Sequence, residues 1–97
     1  TGDQISAAEA VALGLCNRTV PRAQLMEQAF ALAERIAQNS PLTLKLLKRS
    51  MRQGIEMPLG AALSYEQAVI GLVLDSNDAH EGCRAFLEKR TAQFKGD

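Results

Sequence analysis

Residues 58–74, PLGAALSYEQAVIGLVL, decide the fold. Wound at about 100 degrees per residue, Leu59, Leu63, Ile70, Val73 and Leu74 fall on one face of a helix, and Ala61, Tyr65, Ala68, Val69 and Leu72 fall roughly opposite. Only Ser64, Gln67 and Gly71 make a narrow polar edge. The stretch is too short and too interrupted to cross a membrane, so the pattern predicts a buried central helix. A helix that is apolar nearly all round must be covered on several sides, and a short chain has few elements with which to do so. Part of the cover is expected from another chain.

Immediately upstream, residues 41–53 divide their circumference by chemistry. Leu42, Leu46 and Leu47 lie away from Lys45, Lys48, Arg49 and Arg52, which form one basic stripe. Gly54 breaks that helix and Pro58 opens the central one, so the two are expected to pack as an antiparallel pair. Further upstream, Leu25, Ala29, Leu32, Ala33 and Ile36 recur at helical spacing between about Arg22 and Gln38. Asn39 can end this helix, Ser40 can cap the next, and Pro41 suits a first helical position. At the start of the chain, Ser6-Ala7-Ala8-Glu9 has the capping-box spacing, and Gly14 can stop the short helix that follows. Residues 15–20, LCNRTV, alternate thinly before Pro21 and read as an extended connector or edge strand.

Downstream, Asp75-Ser76-Asn77 is a loop-forming run, and Asp78-Ala79-His80-Glu81 repeats the capping-box spacing, so the last helix is expected from Ala79 to about Arg90. In the tail 91–97, Phe94 is the one large apolar residue and is expected to dock back or onto a neighbour. The fold class expected from the pattern is all-α: a small bundle of about five helices in one domain, residues 1–97.

Ninety-seven residues carry eleven basic and eleven acidic side chains, a balance that argues against general attraction to nucleic acid or to an anionic membrane. Cys16 and Cys83 sit in no metal-ligand or redox spacing; free thiols suit a reducing compartment, the expected location is cytoplasmic, and neither a disulfide nor a bound metal is expected. No targeting or lipidation signal is present. The opening TGDQIS, without methionine, suggests part of something longer.

No nucleophile elbow, phosphate loop or metal-ligand cluster appears. Glu66 shares a face with Leu59, Leu63, Ile70 and Val73, where it could serve as a general acid or base, though an ion pair with the basic stripe is the simpler expectation. His80 has no partner base in view and is expected at the surface. The stripe could bind phosphates, but without interleaved aromatics it reads as a solvated or ion-paired face. Phe86 and Lys89, three apart on the last helix, could hold a nucleotide between a ring and an ammonium; spacing alone favours a core phenylalanine and a surface lysine.

The segments TGDQISAAEAVALGLCNRTVP, LAERIAQNSPLTLKLLKR and DSNDAHEGCRAFLEKRTAQFKG, in this order, resemble the C-terminal part of the crotonase superfamily, the enoyl-CoA hydratases and isomerases. The resemblance implies a spiral core of β-β-α units, absent from these residues, followed by a helical trimerisation domain to which this chain is similar. It implies an enzyme acting on 2-enoyl-CoA thioesters by hydration through an enolate held in an oxyanion hole, assembled as a trimer or a pair of trimers, with no separate cofactor. The catalytic elements of the family lie outside the matched part, so no catalytic residue is expected here. The family's terminal helix lies against the adenine and 3′-phosphate of CoA, and its phenylalanine and lysine correspond to Phe86 and Lys89. That implication reverses the reading from spacing. Ile70 stands where some hydratases have an aromatic residue near the adenine, and Cys16 stands where the family commonly has valine, a change expected to affect packing only. The alternative is a stand-alone helical interaction module without catalytic activity.

Overall fold

The computed structural model describes residues 2–97, and among these it contains five α-helices, one 3-10 turn and no strand. The helices are α1 (Ala7–Ala12), α2 (Leu25–Ala37, preceded by the 3-10 turn Arg22–Gln24), α3 (Pro41–Gly54), α4 (Leu59–Leu74) and α5 (Asn77–Leu87). The chain divides into two compact units, Thr1–Glu34 and Arg35–Asp97.

In the first unit, the Ser6 side chain accepts from the Glu9 N–H at 3.2 Å, while the Glu9 carboxylate accepts from the Ser6 N–H at 2.7 Å, completing the expected capping box. The helix ends on Gly14, whose φ of +74° is open to glycine at no steric cost. The Gly14 N–H bonds the Val11 carbonyl and the Leu15 N–H bonds the Ala10 carbonyl, the paired closure of a Schellman turn. Residues 15–20 form bends and irregular chain, so of the two readings they are a connector and not an edge strand. The short alternation has no partner strand to pair with, and the Arg18 guanidinium instead donates to the Gln28 carbonyl at 3.4 Å. Cys16, expected to serve packing, is exposed there as a free thiol.

In the second unit, the Asn39 side-chain amide caps the end of α2 by donating to the Ile36 carbonyl at 2.9 Å. Ser40 caps α3 through the Thr43 N–H at 3.1 Å, with Pro41 at the first position. The end of α3 and the start of α4 lie side by side as an antiparallel pair. Gly54 faces Ala62 at their contact, where a Cβ built on Gly54 would sit 3.7 Å from the Ala62 Cβ, an ordinary packing distance. The inward stripe of α4 is Ala62, Tyr65, Val69 and Val73, at a spacing of three and four, with Val69 the one buried member.

The leucine-rich flanks of α4 are left uncovered by these residues. Leu59, Leu63, Ile70, Leu72 and Leu74 are each about half exposed or more, and Leu72 is 65 % exposed. Among the described residues, Val69 and Ala85 are the only buried apolar side chains. These residues supply only part of the burial expected for this helix: α3 and α5 pack against α4, and the flanks stay open. Full burial of a leucine or isoleucine side chain contributes about 1.5–3 kcal/mol, so the uncovered faces are a large unused driving force.

The last helix begins two residues earlier than its capping-box spacing predicts. Ser76, not Asp78, is the N-cap, and its hydroxyl accepts from the Ala79 N–H at 3.1 Å. Asp78 is freed from capping for a tertiary contact. The helix also ends earlier, at Leu87 rather than near Arg90, and among the described residues no helix is long and apolar enough to cross a membrane.

Candidate functional site

The far end of α5 carries the two residues singled out for a nucleotide. Phe86 is 83 % exposed, so it is not the core residue that spacing alone suggested. Lys89 is also exposed, but it lies beyond the helix rather than one turn along it. The helix closes here with the Lys89 N–H on the Phe86 carbonyl at 3.2 Å and the Arg90 N–H on the Ala85 carbonyl at 3.0 Å. This is the same turn that ends α1, with Lys89 in the place Gly14 occupies there. Its φ of +54° makes it the one non-glycine residue of positive φ among the described residues. For an L-residue with a Cβ that conformation costs about 1–2 kcal/mol, and such strain is found where the surroundings over-determine it.

The surroundings here are ionic. The Arg90 guanidinium donates to both oxygens of Glu81, at 2.6 and 2.9 Å, and through its Nε to Glu88. Glu81 also accepts from the Gln93 N–H at 2.9 Å. The residues on either side of Lys89 are thus tied together and to the body of α5. The Arg90 guanidinium and the Gln93 amide hold the Glu81 carboxyl down to about 2 from its ordinary 4.5, and the Arg90 guanidinium is pushed up by its two carboxylate partners.

A second latch fixes the tail. Asp78, 3 % exposed, accepts from the Ser40 hydroxyl at 2.6 Å, from the Lys95 N–H at 2.7 Å and from the Gly96 N–H at 3.0 Å, while its own N–H donates to the Asp97 carbonyl. Burial by itself would push the Asp78 carboxyl up, and Glu81 adds to that. The hydrogen bonds from Ser40, Lys95 and Gly96 together outweigh both and hold it below 3.8. Phe94 docks back as expected: its ring lies over Gly82, 3.6 Å from where a Cβ would stand, an ordinary contact distance.

Both carboxyls are depressed in the folded chain, so their contribution is present above the ordinary values and lost as pH falls through the folded ones. The tail is therefore expected to stay latched at pH 5 and to release between 4.5 and about 2. Carbon chemical shifts of the Glu81 carboxyl, followed by pH titration, would show a midpoint near 2; a midpoint near 4.5 would mean the Arg90 contact is not formed.

The other candidates do not assemble into a site. Glu66 is exposed at the rim of a depression lined by Leu47, Met51, Ile55, Leu59 and Leu63, and it pairs with no cation of the basic stripe. The expected ion pair does not form: the four cations are exposed, and none lies within ion-pair distance of Glu66. Lys45, Lys48, Arg49 and Arg52 line a shallow solvent-facing groove, and His80 is exposed. Among the described residues no three potential ligands converge on a metal position, and Cys83, like Cys16, is a free exposed thiol. Sequence reasoning missed the Ser40–Asp78 and Glu81–Arg90 pairs, which no helical spacing joins.

An all-helical chain, with apolar faces it cannot cover and an aromatic residue and a cation exposed at one helix end, is a class of domain rather than a complete binding site. The family is settled by comparison. The enoyl-CoA hydratase/isomerase family model matches residues 1–97. The chain is 40 % identical over 96 residues to 2,3-dehydroadipyl-CoA hydratase of Escherichia coli, covering 99 % of this chain and 38 % of that protein. It is 39 % identical over 100 residues to carnitinyl-CoA dehydratase of Salmonella typhi, covering 99 % and 38 %. The crystal structure of an enoyl-CoA hydratase from Bacillus anthracis superposes with a TM-score of 0.92 at 40 % identity, over 96 % of this chain and 36 % of that one. The chain belongs to the enoyl-CoA hydratase/isomerase family, and it spans a little over a third of the length of these relatives.

Proposed function

We propose that these residues are the C-terminal helical domain of an enzyme that hydrates 2-enoyl-CoA thioesters, and that their own tasks are oligomer contacts and part of the CoA nucleotide site. The chemistry, an enolate held by an oxyanion hole, is carried by residues outside this chain. The observation that carries the nucleotide role is the end of α5, where an exposed ring at Phe86 is followed by a lysine held in a strained conformation. An aromatic face suits adenine, and an ammonium suits a phosphate. The oligomer role is supported by the uncovered flanks of α4, with a trimer or a pair of trimers of this chain as the assembly that covers them. The enzyme works in the cytoplasm, on a substrate that brings its own CoA.

Substitution tests the reading in the full-length protein that carries these residues. Phe86→Ala is expected to raise KM for a 2-enoyl-CoA about tenfold, since stacking on a base is worth roughly 1–3 kcal/mol. Lys89→Ala is expected to raise it about threefold to tenfold, with kcat within about twofold in both cases because neither residue touches the reacting carbons. Unchanged KM in both variants would contradict the assignment.

A further inference from the structure

We propose that Glu81 and Arg90 are positioning residues for the CoA nucleotide: their two-pronged ion pair fixes the chain reversal that carries Lys89, and so determines where its ammonium meets phosphate. The proposal rests on the nucleotide reading above and adds to it a pair that has no contact of its own with the ligand.

The geometry has three parts. Lys89 occupies a conformation that favours glycine, and its side chain is exposed, so nothing in the packing of this chain calls for a lysine there. Its neighbours on both sides, Glu88 and Arg90, belong to one ionic cluster whose anchor is Glu81, a residue on α5 itself. Glu81 also receives the Gln93 N–H, so one carboxylate ties the start of the tail and the end of the helix to the same turn of α5. A long flexible lysine gains orientation only if its backbone is held, and here the backbone is held from both sides.

The test compares coenzyme A with dephospho-CoA, which lacks the 3′-phosphate, as ligands of the full-length protein. Glu81→Gln is expected to weaken coenzyme A about threefold to tenfold while leaving dephospho-CoA unchanged, and Lys89→Ala should do the same. The double variant Glu81→Gln with Lys89→Ala should lose no more than Lys89→Ala alone, because a residue that acts through another has nothing to add once that other is gone. Equal weakening of both ligands, or full additivity in the double variant, would identify the pair as merely structural and overturn the proposal. If Lys89→Ala changes neither ligand, the nucleotide reading itself fails; if it weakens coenzyme A and Glu81→Gln does not, the positioning role alone fails. Should Glu81→Gln melt below the assay temperature, Arg90→Lys takes its place, since it keeps the charge and loses the two-pronged contact.

Discussion

Asp78→Ala is expected to release the tail while leaving the helices formed. The carboxylate is buried and accepts three hydrogen bonds, from a hydroxyl of the α3 cap and from two amides of the tail, so its removal strands all three donors at once. Ser40 keeps its capping contact with the Thr43 N–H, so α3 should persist. The Lys95 and Gly96 amides have no other recorded acceptor and should exchange with solvent at least about tenfold faster, while the amides of α4 are little changed. Phe94 would then lose its seat over Gly82, and its ring resonances should move toward those of a free side chain. If the tail amides stay protected in Asp78→Ala, the latch is not what holds them.

Lys89→Gly should move stability and function in opposite directions. Glycine enters the left-handed region without the cost that lysine bears at a φ of +54°, although it also loosens the unfolded chain. The net expectation is a gain of up to about 1 kcal/mol in unfolding free energy. The same change removes the ammonium, so affinity for coenzyme A should fall about threefold to tenfold, as in Lys89→Ala. Lys89→Ala keeps the strain and loses the charge, which separates the two effects. A Lys89→Gly protein that is less stable than the parent would mean that the left-handed conformation costs lysine less than glycine adds in freedom to the unfolded chain.

What the sequence made legible was local. The Ser6–Glu9 box, the Gly14 stop, the Asn39 end and the Ser40–Pro41 start each depend on contacts three or four residues apart, and each forms as its spacing indicates. The family and the all-helical fold were legible for a different reason, because their motifs extend from one end of the chain to the other. What was hidden depends on distance or on a broken period. Ser40 and Asp78 are 38 residues apart, and no pattern in either neighbourhood announces the other. Asp78 looked like a cap because Glu81 follows it at capping-box spacing, but Ser76, a better placed hydroxyl, takes that role and leaves Asp78 to the tail. The end of α5 was hidden because helix periodicity carries no stop where the usual glycine is a lysine. Phe86 and Lys89 were joined by a spacing that the helix does not sustain, yet the turn bonds the Lys89 N–H to the Phe86 carbonyl all the same.

The inward face of α4 shows a further limit. Hydrophobicity all round cannot tell one side from another, and the pattern left both faces of α4 to be covered, whereas the structure turns Ala62, Tyr65, Val69 and Val73 inward. Ala62 packs opposite Gly54, and the bulky leucines are left for whatever lies outside these residues.

Hydrogen exchange of the full-length protein, with and without saturating coenzyme A, reads the nucleotide contact at the end of α5 itself. If Phe86 and Lys89 contact the nucleotide, the amides of residues 85–90 should slow on binding, those of Lys89 and Arg90 most of all, because their turn can open only if the bound ammonium lets go. Binding that protects other segments and leaves residues 85–90 exchanging as before would contradict it.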